Sequence, residues 1–226
     1  VNTSPKAVIW DVDGTLIDSG DAHWQSWRAI FAQHNQPDLD YATFITWFGR
    51  RNDDILRDWF GPEPSDEWLA EMAELKEAHY REGLRDNPSV IQPGVEHWLA
   101  RLAADGWKLG IGSSAAGPNL DIILEQAGWN DTFGVVMSRE SVRDGKPHPE
   151  VFLTAAARLG VDPSRAIVVE DAAAGILGAH RAGMRTIGVG THYSEIGAMV
   201  AVPTLDLLAP DAFDLLLEQP LPADFE

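Results

Sequence analysis

The chain has 226 residues, with 35 Asp and Glu against 17 Lys and Arg, a formal net charge of −18, and no cysteine. An acid excess without a basic stripe excludes a nucleic-acid binder and argues against anionic membrane surfaces, since attraction to phosphate dominates both. The missing cysteine excludes disulfides, thiol nucleophiles and thiolate metal sites, and a hydrophobic fraction of 45% with nine Trp and eight Phe excludes disorder.

Short apolar runs then punctuate the chain. The first is AVIW at 7–10. From about 19 to 91 there is no strand pattern, only helix-length segments at 22–34, 41–47, 52–60 and 66–84, parted by turns such as Gly61-Pro62 and Asn87-Pro88. A helix follows at 95–104, opened by Pro93-Gly94, then an apolar run at 107–112 and another at 134–137. Pro149 opens a helix at 150–159, the run AIVV occupies 166–169, a helix covers 173–182, and TIGV stands at 186–189. Continuous apolar runs this short suit strands buried on both faces. Their alternation with helices predicts an α/β fold, a doubly wound parallel sheet with right-handed crossovers. About 70 residues of helix after the first strand is too long for an ordinary connection. The expected organisation is an α/β core of 1–18 and 92–226 with a helical cap domain of 19–91, and a tail that frays after about 218.

Ligands of open α/β sheets bind beyond the carboxyl ends of the strands, so the residues after each run matter most. AVIW leads into Asp11-Val12-Asp13-Gly14-Thr15, the run at 107–112 into Ser113-Ser114, the third strand and its loop into Gly145-Lys146-Pro147, and AIVV into Glu170-Asp171. One sheet edge thus receives an acid pair, a hydroxyl, a lysine and a second acid pair. Carboxylates two apart at a strand end can point the same way. Such carboxylates could hold a hard divalent cation, with Mg²⁺ the usual choice beside a phosphate. A lysine would offset the repulsion between carboxylate and phosphate, and Ser113 with nearby N–H groups would bond phosphoryl oxygens. A carboxylate nucleophile that forms an aspartyl-phosphate, with a second carboxylate as acid and base, completes a coherent chemistry.

The segments DVDGTLIDS, Ser113, GKPHPEVF and VVEDAAAGILGAHRAGM, in this order and spacing, resemble the four motifs of the haloacid dehalogenase superfamily. Within it they resemble the β-phosphoglucomutase-like phosphatases, whose helical cap follows the first strand; the resemblance covers 7–191. It implies that Asp11 is the nucleophile and a metal ligand, and that Asp13 is the general acid and base with its carbonyl on Mg²⁺. It also implies a phosphate-binding Ser113 flanked by Gly14, Thr15 and Ser114, a charge-neutralising Lys146, and a metal ligand in Asp171 with Glu170 in or just outside the shell. Dehalogenases and phosphonate hydrolases of the superfamily lack the second Asp, so Asp13 favours phosphoryl transfer to or from oxygen. In the cap, His23, Trp27, the stretch Phe48-Gly49-Arg50-Arg51-Asn52 and Lys76 resemble substrate-side residues. Closure of the cap would exclude water and choose the substrate. Two departures stand out. Asn52 replaces a mutase arginine, with Arg50 and Arg51 just before it. Ala115 and Ala116 replace a Ser-Lys pair that helps the mutase hold a second phosphate, which favours hydrolysis.

Plainer readings exist for each residue. Ser113-Ser114 and Glu170-Asp171 could cap the helices that follow them, Lys146 could be a turn lysine, and Lys76 could sit on a solvated Glu/Lys face. Five Trp of the insert (24, 27, 47, 59 and 68) suit a small helical-bundle core. The seven His show no pair at zinc-ligand spacing, and no P-loop pattern occurs. The expected protein is a Mg²⁺-dependent phosphatase of a small phosphorylated metabolite, a sugar phosphate by resemblance. Its rivals are a mutase moving phosphate between hydroxyls of one sugar and a non-catalytic receiver-like phospho-acceptor. No run reaches the roughly 18 apolar residues of a membrane span, and VNTSPKAVIW lacks the regions of a secretion signal. A cytoplasmic monomer without nucleic-acid or membrane partners is expected.

Overall fold

The computed structural model describes residues 4–47, 52–61 and 64–221. In chain order the elements are β1 (Ala7–Trp10), β2 (Ile17–Asp18), α1 (Gly20–Gln33), α2 (Tyr41–Ile45), α3 (Asn52–Phe60), α4 (Asp66–Asp86) and β3 (Val90–Ile91). Then come α5 (Val95–Ala104), β4 (Lys108–Gly112), α6 (Gly117–Ala127), β5 (Val135–Met137), α7 (Glu150–Leu159), β6 (Ala166–Glu170), α8 (Ala173–Arg181), β7 (Arg185–Gly188), β8 (Val200–Ala201) and α9 (Ala212–Glu218). The chain forms two compact units, Val1–Asp18 with Val90–Glu226, and Ser19–Ser89.

The first unit is built on a parallel sheet in the order β5-β4-β1-β6-β7-β8. β1 and β6 are buried along their whole length because they have neighbours on both edges and helices on both faces. Ala7 and Ile9, with Ala166 and Val168, pack into one cluster with Val151, Phe152, Ala155 and Ala156 of α7 and Ala179 of α8. Side chains one residue out of phase face the other way, where Trp10 meets Phe213 of α9 at 6.2 Å and Phe213 meets Trp98 of α5 at 4.8 Å. Period-two alternation in an all-apolar run thus feeds two separate helix layers. Each fully buried Val or Ile contributes about 1.5–3 kcal/mol through lost contact with water. The chain goes from β1 to β4 and β5 on one side, then returns to β6 on the other. The order of strands therefore reverses between β1 and β6, the place where open α/β sheets bind ligands.

The short antiparallel ribbon β2-β3 pairs Ile17 with Ile91 and Asp18 with Val90. Two-residue strands carry no pattern in sequence, which is why a stretch read as strand-free up to 91 ends in one.

The second unit is helical. Ser65 caps α4 by accepting from the Trp68 N–H at 3.2 Å, and Asp40 caps α2 by accepting from Thr43 at 2.9 Å. Its core joins Trp27, Ile30, Phe31, Phe44, Ile55, Leu56 and Leu69, with Trp24, Trp47, Trp59 and Trp68 packed against it. All five Trp of the insert thus belong to the bundle, and Phe31 stacks on Trp59 at 4.8 Å. Among the described residues no helix is long and apolar enough to cross a membrane.

Candidate active site

β1 stops at Trp10, and the Asp11 N–H still bonds the Val169 carbonyl at 3.0 Å, so Asp11 leaves the sheet between β1 and β6. Asp13 is not on a strand edge. It lies in a turn where the Gly14 N–H bonds the Ile17 carbonyl at 2.8 Å and the Thr15 N–H bonds Val12 at 3.3 Å. The strand-period argument for the acid pair therefore gives way to a tight turn.

Ser113 follows directly after β4, is buried, and its hydroxyl oxygen accepts the Ala115 N–H at 3.0 Å. Ser114 is exposed. Neither serine caps α6, whose N-cap is Ala116. The Thr15 hydroxyl is fully buried and has no hydrogen-bond partner among the described residues. Lys146 comes from the loop before α7. Glu150, in the first turn of that helix, accepts the Asp144 N–H at 3.0 Å, and Arg181 donates to the Pro147 carbonyl at 3.2 Å. These bonds hold the loop so that Lys146 reaches inward.

Lys146 Nζ bridges Asp11 Oδ1 and Glu170 Oε1, both at 2.5 Å. Glu170 Oε2 accepts the N–H groups of Asp171 and Ala172, each at 2.9 Å. The capping reading of Glu170-Asp171 does not hold, since the N-cap of α8 is Ala172 and no side chain caps it; the Glu170 carboxylate instead satisfies the donors just ahead of α8 while it also holds Lys146. Two glycines make the room. Gly14, at φ +84°, leaves open the space into which the Asp171 carboxylate fits, and a Cβ on Gly175 would overlap the Glu170 carboxylate. Gly175→Ala is therefore expected to destabilise the protein by about 1–3 kcal/mol through overpacking, measured by urea unfolding. An unchanged midpoint would contradict this packing.

Asp11, Glu170 and Asp171 offer oxygens within 4.8 Å of one another. Three carboxylates stand there against one ammonium. Burial, aided by the Glu170 and Asp13 charges and opposed by Lys146, pushes the Asp11 carboxyl up to about 7. Burial together with the Glu170 and Asp11 charges also raises Asp171 well above the usual carboxylate range. Burial works against the Lys146 ammonium, but Asp11 and Glu170 outweigh it and raise its pKa, so it stays charged. Carboxylates this reluctant to ionise together mark a site short of positive charge, and a divalent cation with oxygen ligands fits that shortage.

The model of the haloacid dehalogenase-like hydrolases matches residues 8–189. The chain belongs to this family. It is 33% identical to β-phosphoglucomutase of Bacillus subtilis (strain 168), covering 94% of this chain and 92% of that one. It is also 33% identical to validoxylamine A 7'-phosphate phosphatase of Streptomyces hygroscopicus subsp. limoneus, covering 89% and 94%. Among solved structures, a family IA variant 3 hydrolase from Entamoeba histolytica HM-1:IMSS superposes with a TM-score of 0.85 at 26% identity, covering 95% of this chain and all of that one. The chain is thus an enzyme of a hydrolase family, with the α/β fold expected from its sequence.

This haloacid dehalogenase-like chain also gathers the second unit's expected residues. Lys76 Nζ lies 2.7 Å from His23 Nδ1 and 3.0 Å from Glu77 Oε1, and Asn52 donates to the same Glu77 oxygen at 2.8 Å. The Trp27 ring centroid is 5.9 Å from Lys76 Nζ. An ammonium only donates, so His23 Nδ1 accepts and the ring proton sits on Nε2. His23 also stacks on Tyr80, with centroids 3.9 Å apart. Lys76 is 2% exposed, which overturns the solvated-face reading. Its burial was legible, because Leu69, Met72, Lys76, Tyr80 and Leu84 share one stripe of α4. Glu77 was missed, since a helix neighbour one residue on gives no periodic signal, whereas Tyr80, four residues after Lys76 on the same stripe, carried the spacing that could have marked it. Arg50 and Arg51, with Phe48 and Gly49, lie outside the described residues.

Proposed function

We propose that the protein is a Mg²⁺-dependent phosphatase acting on a small phosphorylated metabolite of the sugar-phosphate type. The observation that carries this reading is the buried bridge from Lys146 to Asp11 and Glu170 beside Asp171. It supports a nucleophilic carboxylate held at the sheet's switch point under a fixed positive charge. In this mechanism Asp11 attacks phosphorus and forms an aspartyl-phosphate, while Asp13 gives its proton to the leaving alcohol oxygen. Asp13 then takes a proton from water, which attacks the phosphoryl group and releases phosphate from Asp11. Lys146 balances charge on the phosphoryl oxygens, and the Ser113 hydroxyl donates to one of them. Asp11, Asp171 and the Asp13 carbonyl are the proposed Mg²⁺ holders. Glu170 belongs behind them, because both its oxygens are already bonded. Bound Mg²⁺ would offset the repulsion between these carboxylates and the incoming phosphate dianion. Choice of substrate is assigned to the helical unit, where Lys76, His23, Asn52 and Trp27 cluster.

The relative named β-phosphoglucomutase favours a second reading, phosphoryl transfer within one sugar. Free phosphate as the product supports hydrolysis, whereas an isomeric sugar phosphate supports the mutase. The test is phosphate release from p-nitrophenyl phosphate and a panel of sugar phosphates, with Mg²⁺ and after EDTA. No release from any of them would overturn the phosphatase.

Metal and pH are linked through Asp11. Its folded pKa of about 7 lies above the unfolded value, roughly 3.9. Its contribution to the stability of the metal-free protein is therefore full below about pH 4 and lost as pH rises through about 7. Mg²⁺, which favours the carboxylate, is expected to raise the melting temperature more at pH 8 than at pH 5. Equal Mg²⁺ shifts at both pH values, read by scanning fluorimetry, would contradict the linkage.

A further inference from the structure

The turn that carries Asp13 is aimed by its next residue. Gly14 sits at φ +84°, and a Cβ there would lie 2.0 Å from Asp171 Oδ2, so the position requires glycine. Glycine is also the residue with the most backbone freedom. The site therefore places its loosest backbone beside the proposed acid and base. Inside the turn, the Val12 carbonyl accepts the Thr15, Leu16 and Ile17 N–H groups at 3.3, 2.9 and 3.1 Å, and the Gly14 N–H bonds the Ile17 carbonyl at 2.8 Å. These bonds engage the Gly14 N–H but not its carbonyl, so the peptide plane after Gly14 has to be fixed from outside the turn.

Gln92 supplies that tie. It follows β3 directly and lies 78 residues from Gly14. Its backbone N–H bonds the Leu16 carbonyl at 3.0 Å, and its side-chain Nε2 donates to the Gly14 carbonyl at 3.4 Å. A carbonyl only accepts, so the nitrogen of the amide faces it. The main-chain bond extends the β2-β3 ribbon and would form with any residue other than proline at this position. The side-chain bond depends on glutamine.

We propose that Gln92 is a positioning residue for Asp13: its side-chain amide fixes the Gly14 peptide and with it the aim of the Asp13 carboxyl. Gln92 acts through the turn rather than on the substrate. This role rests on the phosphatase reading, in which Asp13 passes its proton to the leaving oxygen as the P–O bond breaks.

The test compares two esters of similar shape in the wild type and in Gln92→Met, which keeps the length of the side chain but has no donor. The nitro group of p-nitrophenyl phosphate stabilises the departing anion, which needs little help from an acid. Phenyl phosphate releases a phenol with a pKa of about 10, that of a tyrosine side chain, and needs the proton of Asp13. The ratio kcat/KM reports the transition state in which that bond breaks. Gln92→Met should lower kcat/KM for phenyl phosphate by about threefold to tenfold, and for p-nitrophenyl phosphate by less than about twofold, the scale of one hydrogen bond that matters to one ester only. Gln92→Glu has the same shape but turns an acceptor toward the Gly14 carbonyl, and should show the same split. Hydrogen exchange of the peptide spanning 12–17 should quicken in both variants, which reads the tie without turnover. Thermal melting checks that both still fold. Quickened exchange in a protein that hydrolyses neither ester would sink the phosphatase reading and leave the tie to Gly14 standing. Equal losses on the two esters, no loss on either, or unchanged exchange at 12–17 would overturn the role of Gln92.

Discussion

Asp11→Asn is expected to lower phosphate release by at least about 10³-fold, the scale seen when a catalytic nucleophile is removed. The fold should survive. Asparagine keeps the shape of the side chain and can still accept a hydrogen bond from Lys146, which bonds Asp11 Oδ1 in the native protein. Burial and neighbouring carboxylates already push Asp11 up to about 7, so removing its charge relieves crowding. At pH 8 without metal the variant should melt at or above the wild-type temperature. Activity and stability thus move in opposite directions, which a purely structural role for Asp11 would not produce. Near-normal turnover in the variant would remove Asp11 from the chemistry.

Lys146→Ala carries the largest expected loss of stability. It strands two buried carboxylates, Asp11 and Glu170, whose side chains are 9% and 1% exposed. Breaking a buried pair by removing one partner costs about 3–5 kcal/mol, because the remaining charge stays uncompensated. In a protein of this length that corresponds to a fall in melting temperature of roughly 10 °C. Turnover should drop by about 10²-fold or more through loss of a fixed charge beside the reacting oxygens. Lys146→Arg should recover more of the stability than of the turnover, since it restores charge but not the fit of one nitrogen between two carboxylates. A melting temperature unchanged in Lys146→Ala would contradict the bridge.

Both variants act on residues that were legible from the chain alone. The strands were visible because parallel strands buried on both faces need unbroken apolar runs, and AVIW and AIVV are such runs. The residues after them could be read as a site because the carboxyl edge of an open sheet is where ligands bind. What escaped was the pairing. Glu170 reads in sequence as one more metal-side acid, and the sequence carries no sign that its oxygens also bond Lys146 and two backbone donors. Gly175 reads as one small residue in an Ala-Gly run, and only the path of the Glu170 side chain explains it. Gln92 carried no signal, because its partner Gly14 lies 78 residues away and a bond to a backbone carbonyl leaves no mark on the partner's identity. The ribbons and short strands β2, β3 and β8 escaped for a different reason: two residues are too few to show a period.

The chain's family is that of the haloacid dehalogenase-like hydrolases, and relatives of similar identity bear the names of a mutase and a phosphatase. The central claim is therefore a covalent one, that phosphate passes through Asp11. Borohydride reduces an acyl phosphate to an alcohol, so quenching the enzyme with borohydride during steady turnover, followed by peptide mass mapping, would mark the residue that carries it. Homoserine at position 11, dependent on substrate, is the expected product. An unmodified Asp11 in enzyme that is releasing phosphate, with the label on another side chain, would contradict it.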